Sequence, residues 1–97
     1  MAVMLAVSAA PRYGLEIIRH LDGERDLALP EGTIYPLLLR LTRDGVLEAE
    51  WRATEPHPRK YYRLTARGRR RLKEMCDEWR AFSTKMNALI AEGGGEA

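Results

Sequence analysis

Apolar positions along this chain change their period twice. A short apolar start, Ala2 to Ser8, is stopped by Pro11, whose ring biases the preceding backbone away from helix. From Arg12 the spacing becomes helical, with Leu15, Ile18 and Leu21 in line, Ile17 beside them and Asp22-Gly23 closing the segment. After a loop from Glu24 to Pro30, Ile34, Leu37, Leu38 and Leu41 form an i, i+3, i+4, i+7 stripe. That stripe predicts a third helix starting at Pro30 or Glu31, and Gly45 stands where a left-handed residue would end it. Helix, short connection and glycine-stopped amphipathic helix outline a helix-turn-helix.

The period then falls to two. Leu47, Ala49 and Trp51 alternate with Glu48, Glu50 and Arg52, which predicts a half-buried strand. Ala53 to Pro58 contains two prolines and cannot extend it; Lys60 to Leu64 predicts the returning strand of a hairpin with a stiffened tip. Thr65 is placed to cap a last helix from Ala66 to Ala91. Its stripe is Leu72, Met75, Cys76, Trp79, Phe82, Met86, Leu89 and Ile90. At 1.5 Å per residue this helix is about 39 Å long and overhangs the body it leaves. An overhanging apolar stripe needs a second surface, and the economical one is the same helix of another copy in a two-fold homodimer. The expected fold class is mainly α (α+β), a winged helix-turn-helix in the order α-α-α-β-β-α. Residues 1–65 form the reading domain, 66–91 the dimerisation helix and 92–97 a frayed tail.

Charge adds a direction to this outline. The segment Arg59 to Lys73 holds eight of the sixteen Lys and Arg residues and no acidic one, interleaved with Tyr61 and Tyr62. The other 82 residues carry eight basic and fourteen acidic side chains, a net of −6. One cationic segment on an otherwise acidic chain suits a polyanion such as double-stranded DNA, since each neutralised phosphate releases condensed counterions. A solvated charged helix start is the plain alternative.

A helical wheel places Gly32, Pro36, Leu39, Arg40 and Arg43 opposite the stripe of the third helix, with Thr33 and Tyr35 flanking it. Small or ring-shaped residues at the start and cations toward the end suit a helix that approaches base edges while neutralising phosphates alongside. The expected DNA contacts are Thr33, Tyr35, Pro36, Arg40 and Arg43 there, Tyr13 at the opening of the second helix, and Arg59 and Lys60 at the base of the hairpin tip. Tyr35 and Pro36 could instead pack on the wing, and Tyr13 could be buried. Tyr62 and Leu64 share the core face of their strand, Tyr61 and Arg63 the other; His57 reads as an incidental tip residue. Arg67, Arg69, Arg70 and Arg71 surround the start of the last helix and cannot all face one partner.

These residues resemble a known family. Tyr13-Gly14-x-Glu16-Ile17, then Gly32-Thr33-Ile34-Tyr35-Pro36-x-Leu38-x-Arg40-Leu41 with Gly45, then Trp51, then Arg59-Lys60-Tyr61-Tyr62-Arg63-Leu64-Thr65-x-x-Gly68 look like the PadR family of bacterial transcriptional regulators. The likeness runs from about Pro11 to Ile90, and the single C-terminal helix looks like the small subfamily. It implies a dimeric repressor on an inverted-repeat operator, its two third helices in successive major grooves about 34–36 Å apart. Some small members resemble multidrug sensors in which a Trp of the last helix stacks flat aromatic effectors at the dimer centre, and Trp79 matches that position. Asp77, Glu78 and Ser83 would be its polar neighbours; the alternative is a packed dimer core of Trp79, Phe82 and Met86. The chain departs from the family at Pro30, where a capping residue is usual, at Leu39, where a base is common, and in a short first helix.

Other classes find little support. No apolar run reaches the ~20 residues of a membrane span, so no membrane partner is expected. Met1 to Ala10 lacks a basic start and reads as a first helix, not a leader. The single Cys76 excludes an internal disulfide and fits a cytoplasmic location. Cys76, His20 and His57 lie in separate segments without metal spacing or an orienting acid, so neither enzyme chemistry, a cofactor nor a metal is expected. The rival reading is a protein-binding winged helix without specific DNA recognition.

Overall fold

A computed structural model describes residues 1–23 and 26–93. The elements run α1 (Ala2–Ala6), β1 (Arg12–Tyr13), α2 (Gly14–Asp22), α3 (Glu31–Arg43), β2 (Leu47–Arg52), β3 (Arg59–Leu64) and α4 (Ala66–Glu92). The expected loop's Glu24 and Arg25 and the expected tail's last four residues lie outside the described residues.

The winged helix-turn-helix is present, with one strand more than the alternation predicts. The sheet has the order β1-β3-β2, antiparallel throughout. Arg12 and Tyr13, expected to open the second helix, are extended and pair with Tyr62 and Tyr61. Tyr13 keeps φ −86° and ψ 165° and caps α2 from outside, its N–H donating to Glu16 Oε1 at 3.4 Å. Arg12 Nε donates to Ala6 O at 2.7 Å and so serves the end of α1.

The core gathers Val3, Met4 and Val7 of the first segment, Ile17 and Leu21 of α2, Ile34 and Leu38 of α3, and Leu47, Tyr62, Leu64 and Leu72. The buried line of α2 is Gly14, Ile17 and Leu21, not Leu15, Ile18 and Leu21; Leu15 is 37% exposed. Starting the helix at Gly14, against the sheet edge, turns Ile17 inward and Leu15 out. Trp51, expected to be half-buried, is 68% exposed. Its cross-strand partner Lys60 sits nearer the hairpin tip than the core residues Tyr62 and Leu64, so the core ends before it.

Two devices fix the turn between α3 and the sheet. Gly45 takes φ +76°; its N–H donates to Thr42 O at 3.1 Å and that of Val46 to Leu41 O at 3.0 Å, so α3 ends in the expected left-handed stop. Thr65 then locks the start of α4: its hydroxyl donates to Gly45 O at 2.6 Å and accepts from Gly68 N at 3.0 Å. Helix and turn approach so closely here that a Cβ on Gly68 would stand 2.1 Å from Val46 O.

Beyond Cys76 α4 leaves the core. Trp79, Phe82, Met86, Leu89 and Ile90 are all exposed, and the chain measures 55 × 27 × 22 Å. No helix among the described residues is long and apolar enough to cross a membrane.

Candidate nucleic-acid interface

The start of α3 is open ground. Pro30 stands at the N-cap, not the first helical position, and its carbonyl accepts from Thr33 and Ile34 at 2.9 and 3.0 Å. It contributes no side-chain cap, so the positive end of the helix faces solvent beside exposed Gly32, Thr33 and Pro36. A side chain at Gly32 would meet nothing within 4 Å. Arg40 and Arg43 are exposed one and two turns on, outside the ion pairs found among the described residues.

Tyr35 turns toward α2 and the wing. With Tyr13, Gly14, Leu15, His57, Arg59, Lys60 and Tyr62 it lines a cleft of about 340 Å³ between α3 and the hairpin. Four of the expected contact residues (Tyr13, Tyr35, Arg59 and Lys60) thus meet around one concavity. The ring of Tyr35 lies against Gly14 of α2, not on the wing as the packing alternative had it, and the residue stays 45% exposed. Tyr62 is buried, as its strand face implies; burial foremost, then the neighbouring Tyr35 phenol, raises its pKa above the ordinary tyrosine value.

The wing's outer face is a lattice of rings and cations. Tyr13 meets Tyr61 edge to face at 5.4 Å, the Arg59 guanidinium lies 4.4 Å from the Tyr13 ring, and that of Arg52 lies 4.3 Å from the Tyr61 ring. Toward the base of the hairpin Arg63 pairs with Glu48 on the facing strand. On the other face Lys60 Nζ stands 5.8 Å from the Tyr62 ring and 6.0 Å from that of Trp51. Arg52 lies outside the cationic run and its charge alone does not single it out; the signal available was its cross-strand pairing with Arg59.

The cationic segment divides as its length requires. Arg69 Nη1 donates to Ser8 O at 3.3 Å, Arg71 pairs with Glu74, and Arg67, Arg70 and Arg71 border a polar cleft with Asp44. This group lies past the Leu47–Leu64 end of the hairpin, opposite the Arg52–Arg59 end.

On α4, Trp79 borders an apolar cleft of about 510 Å³ with Met1, Leu5, Leu21 and Leu27, and a second cleft of about 370 Å³ with Met75, Glu78 and Phe82. Its indole lies 6.2 Å from the Phe82 ring. Asp77 does not join them: it is held by Lys73 at 3.0 Å and Arg80 at 3.7 Å, and lines a cleft with Ser8 and Cys76. The Ser83 hydroxyl is shielded from solvent and finds no hydrogen-bond partner among the described residues. No cluster of metal-ligating side chains occurs among the described residues.

A three-stranded wing, a reading helix with an open N-terminal face and a cation-rich cleft between them define a winged helix-turn-helix protein of the DNA-regulator type. The model of the PadR-like transcriptional regulator family matches residues 3–74, and the chain belongs to that family, whose members are transcriptional regulators and not enzymes. It is similar to an uncharacterized protein of Lysinibacillus sphaericus, 34% identical over 71 residues; the match covers 70% of this chain and 65%, just under two thirds, of that relative's length. A PadR-like transcription factor of Bacteroides fragilis is 39% identical with a TM-score of 0.78, covering 91% of this chain and 85% of that one. PadR of Bacillus subtilis, solved in complex with operator DNA, shares the fold at 22% identity and a TM-score of 0.72, over 77% of this chain and 43% of that one.

Proposed function

We propose that this chain is a sequence-specific DNA-binding transcriptional regulator that acts in the cytoplasm as a homodimeric repressor on an inverted-repeat operator. The observation that carries the reading is the cleft where Tyr35 of α3, Tyr13 at the start of α2 and Arg59 and Lys60 of the wing converge. Hydroxyls and cations from three elements around one concavity suit a DNA backbone running between reading helix and wing. Thr33, Tyr35 and Pro36 would approach base edges in the major groove, Arg40 and Arg43 the phosphates beside it, and Tyr13, Arg59 and Lys60 the flanking backbone.

The dimer is assigned to residues 66–91, and residues 1–65 to reading. Met75, Trp79, Phe82, Met86, Leu89 and Ile90 lie on α4, and from Trp79 onward its own chain leaves these apolar side chains exposed. The effector of this reading is a small flat aromatic molecule stacked on Trp79, with the unpartnered Ser83 hydroxyl one turn along the same helix. Such a ligand lowers DNA affinity only through unequal affinity for two head spacings.

The test is a fluorescence-anisotropy titration against DNA from upstream of the chain's own gene, at two salt concentrations, with random-sequence competitor. Tight, competitor-resistant binding that weakens steeply with salt is expected. Weak binding removed equally by any competitor would favour a protein-binding module. Quenching of indole emission by an aromatic dye, lost in Trp79→Ala, would carry the effector; an unchanged response would remove it.

A further inference from the structure

The outer face of the wing holds an arrangement that its architecture does not need. Arg52 and Arg59 are direct cross-strand partners at the last rung before the tip, so they share one face of the sheet. Like charges placed opposite each other destabilise an antiparallel pair. Neither forms an ion pair among the described residues: Glu48 is taken by Arg63, and Glu50, on the same face opposite Tyr61, pairs with neither arginine.

Each guanidinium instead lies over a phenol two residue pairs further from the tip, on the same face of the sheet. Tyr13 and Tyr61 are cross-strand partners, and so are Tyr61 and Glu50. The Arg59–Tyr13 diagonal therefore repeats as the Arg52–Tyr61 diagonal, one strand over, with ring centroids 4.4 and 4.3 Å from the two cations. Neighbouring strands are spaced about 4.8 Å apart, so the two cations are carried at facing positions on adjacent strands, over rings inclined by 74° to each other. The edge-to-face contact between the rings at 5.4 Å and 74° ties the two units together.

Stacking engages the face of a guanidinium and leaves its N–H donors, which lie in the plane, free. Two such guanidinia on facing strand positions, of like charge and outside the ion pairs found among the described residues, can both donate to a single tetrahedral anion. Arg59 also borders the cleft that reaches Tyr35 of α3, which puts the pair beside the path of the DNA backbone.

We infer that Arg52 and Arg59 together grip one backbone phosphodiester at the tip end of the wing, with Tyr61 and Tyr13 as the residues that position them. The inference rests on the DNA-binding reading above and adds Arg52, which neither charge pattern nor resemblance singles out.

The experiment measures log K against log salt for the full chain on its upstream duplex and on random duplex. Arg52→Gln should weaken both by the same factor and lower the salt slope by about 1, as the loss of one phosphate contact does. Arg59→Gln should do the same, and the double variant should lose about 1 in total and no more, because one phosphate needs both guanidinia. Tyr61→Phe keeps the ring and should match wild type; Tyr61→Leu should behave like Arg52→Gln although every charge remains.

A slope unchanged in Arg52→Gln but reduced in Arg59→Gln would overturn the shared receptor and leave the DNA reading standing. A loss of about 2 in the double variant would mean two separate phosphates, with the same consequence. A free phosphate ion offers the same chemistry: if inorganic phosphate at constant ionic strength raised the melting temperature of wild type but not of Arg52→Gln, the site would bind free anions and the backbone assignment would fall. Wild-type protein without salt-dependent DNA binding would remove both readings.

Discussion

The ring of Tyr35 occupies the volume that a side chain would take at Gly14: a Cβ there would lie 2.5 Å from Tyr35 Cε1 and 2.9 Å from its hydroxyl oxygen. Gly14 is the first residue of α2 and Tyr35 the fifth of α3, so the reading helix is docked on the missing side chain of its neighbour. The same phenol borders the cleft shared with Tyr13, Arg59 and Lys60. One contact therefore sets both the seat of α3 and the direction of a proposed DNA contact.

Gly14→Ala should separate these two roles. The clash falls on the outer edge of a half-exposed ring, which can swing aside, and alanine favours helix over glycine by about 0.5–1 kcal/mol. Thermal melting should shift by only a few degrees, while DNA affinity falls toward that of Tyr35→Ala. Undiminished DNA affinity in Gly14→Ala would sink the idea that this contact aims Tyr35.

Gly68→Ala should do what Gly14→Ala does not. Here the obstruction is backbone: Val46 O at 2.1 Å and its carbonyl carbon at 3.1 Å, in a junction already tied by Thr65. The helix must lift from the turn, at a cost of about 3 kcal/mol, the upper end for overpacking. Gly45→Ala, at φ +76°, should cost about 1–2 kcal/mol from backbone conformation alone. Urea midpoints would rank the two, and an equal or reversed order would contradict the close approach as the dominant constraint.

What was legible in the sequence was periodic or capped. The stripe of Ile34, Leu38 and Leu41, the glycine stop at Gly45 and the cap at Thr65 are each local, decided by residues within a turn of one another. Strand β1 was not legible, because two residues cannot show a period and its pairing with Tyr61 and Tyr62 is made by main chain some 50 residues away. The exposure of Trp51 was hidden for a related reason: alternation gives the face, but where the core stops along the strand depends on which helices cover it. At the interface, residue types announced Arg59 and Lys60, whereas Arg52 became visible only through its register with Arg59.

The alkaline limb of stability should report on Tyr62. Burial, and secondarily Tyr35, raises its folded pKa above the unfolded value of 10.0. A group raised in this way adds stability that is fully present below the unfolded pKa and is lost as pH climbs through the folded one. Unfolding free energy should therefore decline above pH 10, and Tyr62→Phe should flatten that decline while keeping the ring in the core. Parallel pH profiles for the two proteins between pH 8 and 11 would remove Tyr62 as the cause.

The exposed half of α4 should decide the assembly. Leu89 and Ile90 are 59% and 53% exposed, and the last buried residue of the helix is Leu72, nearly five turns earlier. A charge at Ile90 thus touches nothing in the chain's own core. Ile90→Asp should leave far-ultraviolet dichroism close to wild type and sediment as a monomer where the wild type sediments as the proposed dimer. The melting temperature should depend on concentration in the wild type, as the proposed dimer requires, and be independent of it in the variant. Binding to an inverted repeat should fall to the level of a single half-site, since two linked heads raise each other's effective concentration. A variant that remained dimeric and kept the full advantage of the repeat would place the interface elsewhere, on α1 or on the wing.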